Sequence, residues 1–140
     1  MDELIPPKLI LRPNHREEII EIVTKLAPKE ACGIIAGETD TSSKVYPVTN
    51  TLNSSSEYLM DPEQMLEAFW DIEENGWQVL AFFHSHPSSQ PFPSQSDLSR
   101  NFYPHTIHMI AGKIESNWVL KAFQLFEKNY NEIPIVNLST

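Results

Sequence analysis

Two histidines and one aspartate, spaced along residues 79 to 97, could together bind a metal ion. His84 and His86 follow an apolar run, Val79 to Phe83, that is typical of a buried strand. Residues i and i+2 of a strand point to the same face, so both imidazoles are expected to aim at one spot. Asp97 follows a polar, proline-rich loop that could fold its carboxylate back to that spot. Two imidazoles and one carboxylate form a three-ligand set for zinc that leaves a fourth position open, as catalytic zinc sites do.

The spacing of these residues resembles the signature of the JAMM (MPN+) metalloproteases. That signature is His-x-His, seven residues, Ser, two residues, Asp, and it is present here without a gap as His84, His86, Ser94 and Asp97. The family also has an upstream glutamate in a Pro-x-Glu-x-Cys-Gly context. The segment from Pro28 to Gly33 matches this context and contains Glu30. The resemblance extends over residues 8 to 126, and the match of both parts makes it specific.

The resemblance implies a role for each matched residue. Zn²⁺ is expected to be bound by His84, His86 and Asp97, and to activate a water molecule. Glu30 is expected to accept the proton of that water and later return it to the leaving amine. Ser94 is expected to donate a hydrogen bond to the oxyanion that forms. Glu30 and Ser94 are therefore the predicted catalytic residues.

The resemblance also implies a class of substrate. Family members hydrolyse amides at the C-terminal glycine tail of ubiquitin-fold proteins. The chain lacks the insertions of the large eukaryotic enzymes and looks like the compact prokaryotic members. These process ubiquitin-like or sulfur-carrier proteins, and some release cysteine from a carrier. A Gly-Gly tail could bind as an added strand, gripped by Lys44 to Thr49 and the loop Asn50 to Tyr58, with Ser88 to Pro93 framing the cleft.

Several of these residues also have simpler interpretations. Ser94 could only cap the helix that follows it, and a cap would not conflict with the catalytic role. Glu30 could be an ordinary solvated acid. Cys32 is expected to be a small buried residue, since nothing else in the sequence supports a cysteine protease. His105 and His108 are expected to be structural or surface residues.

Two functions other than hydrolysis are alternatives for this sequence. A non-catalytic MPN scaffold would bind partners only, but scaffolds of this kind usually lack the zinc ligands, which are all present here. A RadC-like protein of DNA metabolism shares a related His-x-His-Pro signature. The formal net charge of −9, from 19 acidic and 10 basic residues, argues against binding to nucleic acid.

Length and composition are typical of one soluble globular domain spanning residues 1–140. The single cysteine excludes an internal disulfide bond. The first ten residues carry acids where a signal peptide needs positive charge, and no apolar run is as long as a membrane span. These features predict a cytoplasmic protein that does not bind membranes.

Periodicity and turn residues predict alternating helices and strands. Strands are expected at Leu9–Leu11, Ala31–Ala36, Lys44–Thr49 (with Pro47 at an edge or bulge), Glu57–Met60, Val79–Phe83, 106–111, 118–126 and near Ile135. Helices are expected at 13–27, from an Asp61 cap to Asn75-Gly76, and at 95–102 after Ser94, where Asp97 could complete a capping box. This order predicts an α/β (α+β) fold with a mixed central sheet flanked by helices. It is compatible with the cytidine-deaminase-like MPN fold that the resemblance implies.

Overall fold

The computed structural model describes residues 8–100 and 103–138 of the chain. The described residues form three helices and eight strands. In chain order these are β1 (Leu9–Leu11), α1 (Pro13–Leu26), β2 (Cys32–Glu38), β3 (Thr41–Val48), α2 (Pro62–Glu74), β4 (Gln78–Ser85), α3 (Gln95–Ser99), β5 (Ile107–Ile114), β6 (Asn117–Leu125), β7 (Tyr130–Ile133) and β8 (Ile135–Asn137).

The strands form one mixed sheet in the order β7-β6-β5-β4-β2-β3-β1-β8. β4 is parallel to β5, and β1 is parallel to β3 and β8, while the other neighbouring strands are antiparallel. The strand that leads into the two histidines, β4, therefore lies in the interior of the sheet between β2 and β5.

Helices cover both faces of this sheet. Ile35 and Phe83 belong to the core on the α1 face, together with Ile19 and Val23 of that helix. The opposite face packs against α2, whose Ala68 and Ile72 lie in one core with Cys32, Ile34 and Phe82. Successive side chains of a strand alternate between the two cores. The predicted class, a mixed sheet flanked by helices, is confirmed.

The helix boundaries largely follow their predicted capping signals. Asp61 accepts hydrogen bonds from the backbone N–H groups of Glu63 and Gln64 at the start of α2. Gln64 does not complete a capping box, because its side-chain amide instead bonds the backbone and hydroxyl of Thr49. Gly76 follows the helix with a positive φ of 72°, a conformation in which glycine is not strained.

Three strand predictions differ from the structure. Glu57–Met60 forms only an isolated bridge between Asn50 and Met60 rather than a strand. β3 begins earlier than predicted, and it is paired with β1 only at Thr41, so Pro47 lies on the part of β3 that has β2 as its sole strand neighbour. β7 was not predicted because its side chains are largely exposed and lack an apolar alternation. The last residues of the helix predicted at 95–102, residues 101 and 102, lie outside the described residues.

None of the helices in residues 8–100 and 103–138 is both long and apolar enough to cross a membrane.

Candidate metal centre

The two histidines lie at the end of β4, on the face of the sheet that is covered by α2. His84 is paired across the sheet with Cys32 of β2. His86 follows the last residue of β4, and its backbone N–H donates to the carbonyl of Ala111, 2.7 Å away. Both side chains are buried, with 1% of His84 and 7% of His86 exposed. The strand alternation thus directs both imidazoles into one site, as predicted.

Asp97 is held beside them by the first turn of α3. The Ser94 hydroxyl oxygen accepts from the backbone N–H of Asp97 at 3.0 Å, and Asp97 Oδ2 accepts from the backbone N–H of Ser94 at 2.9 Å. This reciprocal pair is the capping box expected for the sequence. The cap fixes the position of the carboxylate with respect to the helix backbone.

The three side chains place their ligand atoms at the corners of a small triangle. The Nε2 atoms of His84 and His86 are 3.2 Å apart, and each lies 3.1 Å from one oxygen of Asp97. Zinc–ligand bonds of 2.0–2.2 Å at tetrahedral angles place neighbouring ligands about 3.3 Å apart. The donor set, two imidazoles and a carboxylate, and its spacing therefore fit Zn²⁺.

The electrostatics of the triangle favour an ionised carboxylate. Burial by itself would raise the pKa of Asp97, but the charge of His84 and hydrogen bonds from both imidazoles and the Ser94 N–H outweigh it. The pKa of Asp97 is therefore held well below its usual range. A carboxylate must be deprotonated to bind a metal ion, so this group is ready to act as a ligand at neutral pH.

Glu30 lies immediately before Ala31 and β2, close to the three possible ligands. The register that pairs Cys32 with His84 places Glu30 opposite His86 when it is continued by two residues. Only 5% of Glu30 is exposed, so the simpler interpretation of a solvated acid is wrong. Burial, together with the negative charges of Asp97 and Glu57, raises its pKa to about 7 against the opposing charge of His86. A carboxyl group with this pKa exchanges a proton readily near neutral pH.

Asn50 joins Glu30 to the segment that follows β3. Its side-chain N–H₂ donates to the carbonyls of Glu30 (3.2 Å) and Glu57 (3.0 Å). Its side-chain oxygen accepts from the backbone N–H groups of Leu52 (3.1 Å) and Leu59 (3.0 Å). One amide thus satisfies four backbone groups and fixes the Glu57–Met60 segment beside Glu30.

The two imidazoles are oriented in different ways. His86 Nδ1–H donates to the carbonyl of Gln90 in the following loop, 3.2 Å away. His84 Nδ1 is buried and has no hydrogen-bond partner among the described residues. The ring of Tyr58 stacks on the ring of His84 instead, with the centroids 4.5 Å apart and the planes at 21°.

The loop between His86 and Asp97 is packed against β5. The backbone N–H of Lys113 donates to the carbonyl of Ser89 at 2.7 Å. A Cβ atom on Gly112 would lie 2.3 Å from the backbone nitrogen of Pro91, so only glycine permits this close approach. The loop that frames the cleft is therefore held by the sheet as well as by its own turns.

The serine, the cysteine and the two other histidines considered in the sequence lie in different environments. Ser94 acts as the helix cap, and its exposed hydroxyl lies next to Asp97. Cys32 is buried, and its thiol donates to the Val48 carbonyl at 3.3 Å. Burial and the charge of Glu30 raise the pKa of this thiol to about 12, which argues against a nucleophilic role. His108 is buried and donates to the Tyr103 carbonyl, whereas His105 is exposed.

The sequence does not predict the contacts of two side chains that support the site. Asn50 and Tyr58 bound the loop predicted to grip the tail, and asparagine next to a strand end often bonds neighbouring backbone groups. Tyr58 also falls in the predicted short strand Glu57–Met60, and nothing local in the sequence predicts its contact with His84. That contact joins segments 26 residues apart, and only the folded sheet brings them together.

Comparisons with known proteins agree with this geometry. Residues 12–125 match the family described as prokaryotic homologs of the JAB domain. The chain is 34% identical to the desampylase of Pyrococcus furiosus, over 91% of this chain and 89% of that protein. It is 36% identical to a Thermus thermophilus protein named "Probable TtuB-protein conjugate cleaving protease", over 59% of this chain and 55% of that protein.

Among solved structures, a protein from Desulfitobacterium hafniense superposes with a TM-score of 0.86 at 30% identity, and 94% of each chain is covered. The family match covers most of the chain and includes Glu30 as well as the triangle formed by His84, His86 and Asp97. The chain therefore belongs to the family of prokaryotic homologs of the JAB domain.

Proposed function

We propose that this protein is a zinc-dependent peptidase or isopeptidase. Its substrate is an amide bond at the C-terminal Gly-Gly tail of a ubiquitin-like or sulfur-carrier protein. The observation that carries the proposal is the triangle of ligand atoms, 3.1–3.2 Å on each side, beside a buried glutamate with a pKa of about 7. The names of the relatives, a desampylase and a protease that cleaves protein conjugates, support the choice of substrate.

Each residue of the site has a task in this reaction. His84, His86 and Asp97 would hold the zinc ion, which when bound supplies a Lewis acid that activates water at neutral pH. Glu30 takes the proton of the attacking water and delivers it to the leaving amine. Its raised pKa suits both steps, because a group near pH 7 can accept and release a proton with little cost.

Ser94 is the group we assign to the oxyanion. Its hydroxyl oxygen is used by the helix cap as an acceptor, and this leaves the hydroxyl proton available for donation. The cap and the catalytic role are thus compatible, as the sequence analysis anticipated. The capping box also holds this hydroxyl close to Asp97, so that the donor is fixed in place before the substrate binds.

The Gly-Gly tail is proposed to bind along Tyr58–Met60. The backbone just after β3 is already paired with the segment before α2. The N–H of Asp61 donates to the carbonyl of Thr49, and the N–H of Thr51 donates to the carbonyl of Leu59. By alternation, the backbone N–H and C=O groups of Tyr58 and Met60 point to the other side, where none bonds another described residue. They form an edge with which an extended chain could pair. Tyr58 lies next to the metal centre, so this edge is close to it.

The test is hydrolysis of ubiquitin-like carriers that bear an amide-linked group on the C-terminal glycine. The zinc-loaded protein should cleave after that glycine, as followed by mass spectrometry, and a chelator should stop the reaction. Glu30→Gln should keep one zinc ion per chain but lower kcat by about a hundred- to ten-thousandfold, because only the proton carrier is removed. Glu21→Gln, an exposed acid on α1, is the matched control and should be unchanged.

Two results would contradict the proposal. Full activity of Glu30→Gln would remove Glu30 from the mechanism. Tight binding of zinc and of carriers without any hydrolysis would favour the alternative of a non-catalytic MPN scaffold. The complete set of predicted ligands and the buried Glu30 favour the enzyme, since buried carboxyl groups of raised pKa cluster at functional sites.

A further inference from the structure

We propose that the cavity next to the metal centre is a specificity pocket for one large apolar side chain of the carrier tail, located upstream of Gly-Gly. This inference rests on the proposed function. It adds a substrate feature that neither the zinc ligands nor the glycines specify. The carrier would be selected by a side chain as well as by its two terminal glycines.

The cavity has a volume of about 280 Å³ and lies between the Glu57–Met60 segment, α2 and α3. Its walls are mainly apolar or aromatic and include Tyr58, Met60, Met65, Phe82 and Tyr103. A dry cavity of about 150 Å³ already binds benzene. The space is therefore large enough for a leucine, phenylalanine or tyrosine side chain.

Three polar side chains of the lining, His108, Arg100 and Glu57, do not oppose an apolar ligand. His108 lies in its lining, and burial lowers the pKa of this imidazole to about 4, so it is neutral at pH 7. Its Nε2–H is used by the Tyr103 carbonyl, 3.2 Å away. Arg100 and Glu57 form an ion pair with a separation of 3.7 Å and neutralise each other in the lining. An acidic side chain would find no free cation among these residues.

The position of the cavity connects it to the reaction. Asp97 is both a predicted zinc ligand and part of the cavity wall. Tyr58 and Met60 line the cavity and carry the backbone groups that bond no other described residue. Side chains of directly opposed residues in paired strands point to the same face. A tail residue that pairs opposite Tyr58 or Met60 would therefore direct its side chain into the cavity.

The side chain that enters the cavity must belong to a residue upstream of the two glycines, because glycine has no side chain. An extended chain advances about 3.3 Å per residue, so the third and fourth residues from the tail end lie about 7–13 Å from the cleaved bond. The cavity shares Asp97 with the centre and extends to Met65 on α2. The cavity therefore adjoins the metal centre and lies within reach of the third and fourth residues of the tail.

The test uses the methyl groups of methionine as reporters. The chain has four methionines, of which Met60 and Met65 line the cavity while Met109 lies in the core of the α1 face. The zinc-loaded full chain with ¹³C-labelled methionine methyls is titrated with peptides that end in Gly-Gly. These peptides carry leucine, phenylalanine or aspartate at the third or the fourth position from the end.

We expect the leucine and phenylalanine peptides to shift the Met60 and Met65 methyl signals at one of these positions and to leave Met109 unchanged. The aspartate peptide should bind at least about tenfold more weakly, because the cavity offers no partner for its charge. Met65→Trp should fill the cavity and weaken binding of the leucine peptide by about tenfold. Leu66→Trp is the matched control on the exposed side of α2 and should bind as the wild type does.

Equal affinity for leucine and aspartate peptides, or shifts that spare both Met60 and Met65, would overturn the proposal. If Met65→Trp loses the native Met109 signal, Met65→Phe replaces it as the smaller cavity-filling variant. Hydrolysis of carriers is measured separately and distinguishes the two inferences. Hydrolysis without a methyl response refutes the pocket alone, whereas a methyl response without hydrolysis refutes the proposed enzyme alone.

Discussion

The two walls of the metal centre orient their imidazoles by different kinds of interaction. The loop wall, Pro87–Asp97, is held by hydrogen bonds, including His86 to Gln90, Lys113 to Ser89 and the capping box. The tyrosine wall, Glu57–Met60, holds its imidazole by the stacking of Tyr58 on His84, whose Nδ1 has no bonded partner among the described residues.

This difference indicates a division of tasks. Histidines that bind metals are usually oriented by a hydrogen bond that the second ring nitrogen donates, and the loop wall follows that rule. The tyrosine wall replaces this directional bond by packing, and the backbone groups of Tyr58 and Met60 bond no other described residue. One wall therefore orients its imidazole by hydrogen bonds, while the other orients its imidazole by packing and is the wall along which the carrier tail is proposed to bind.

The largest effect is expected from removal of either imidazole, because each supplies one of three zinc ligands. His84→Ala and His86→Ala should each weaken zinc binding by at least about a thousandfold, whichever wall orients the ring. Zinc content after dialysis, measured by mass spectrometry, tests this expectation. His105→Ala, which removes an exposed histidine, should keep one zinc ion per chain, and a normal zinc content in His84→Ala would refute the ligand assignment.

Disturbing the loop wall should have the next largest effect. Gly112→Val places a side chain where the backbone of Pro91 lies, and the loop must move away from β5. We expect zinc affinity to fall by about ten- to a hundredfold, since the bond from His86 to Gln90 is displaced. Competition with a fluorescent chelator measures the affinity. Lys113→Ala alters only the neighbouring side chain and should retain it; an unchanged affinity in Gly112→Val would show that the packing of the loop is dispensable.

The tyrosine wall can be tested by substitutions at Tyr58. Tyr58→Leu removes the aromatic ring that stacks on His84 and should weaken zinc binding by about tenfold. Tyr58→Phe keeps the ring and should bind zinc as the wild type does. The same chelator assay applies, with the unfolding midpoint as a check on folding. A loss in Tyr58→Phe equal to that in Tyr58→Leu would show that the hydroxyl group, and not stacking, orients the imidazole.

The smallest effect concerns the pH dependence of stability, which arises from Glu30. Its pKa is about 7 in the folded protein and 4.5 in the unfolded chain, so between these values the folded state binds more protons. Stability of the metal-free protein should therefore fall as pH rises through this window, by about 1–2 kcal/mol after allowance for partial solvation. Urea unfolding at pH 5 and pH 8 should show this loss in the wild type relative to Glu30→Gln. An identical pH dependence in both proteins would contradict the raised pKa.

Local patterns in the sequence were sufficient to predict most of the fold and the convergence of the three predicted metal ligands. The alternation of strand residues directs His84 and His86 to one face, and the Ser94 and Asp97 spacing forms a capping box; both depend on neighbours within a few residues. The roles of Glu30 and Ser94 came from a family signature, and they stay predictions until the variants are measured.

The environment of these residues was decided only by the tertiary structure. The pKa of Glu30 depends on burial at the entrance to β2, and the stacking on His84 depends on a tyrosine that follows a different strand. The apolar cavity is enclosed by α2, α3 and the segment between β3 and α2, which are far apart in the chain. The three predicted ligands could be identified from their spacing because they lie close together in the chain. Acidity, ring orientation and pocket shape required the fold, because they arise from surfaces that meet only after distant segments pack together.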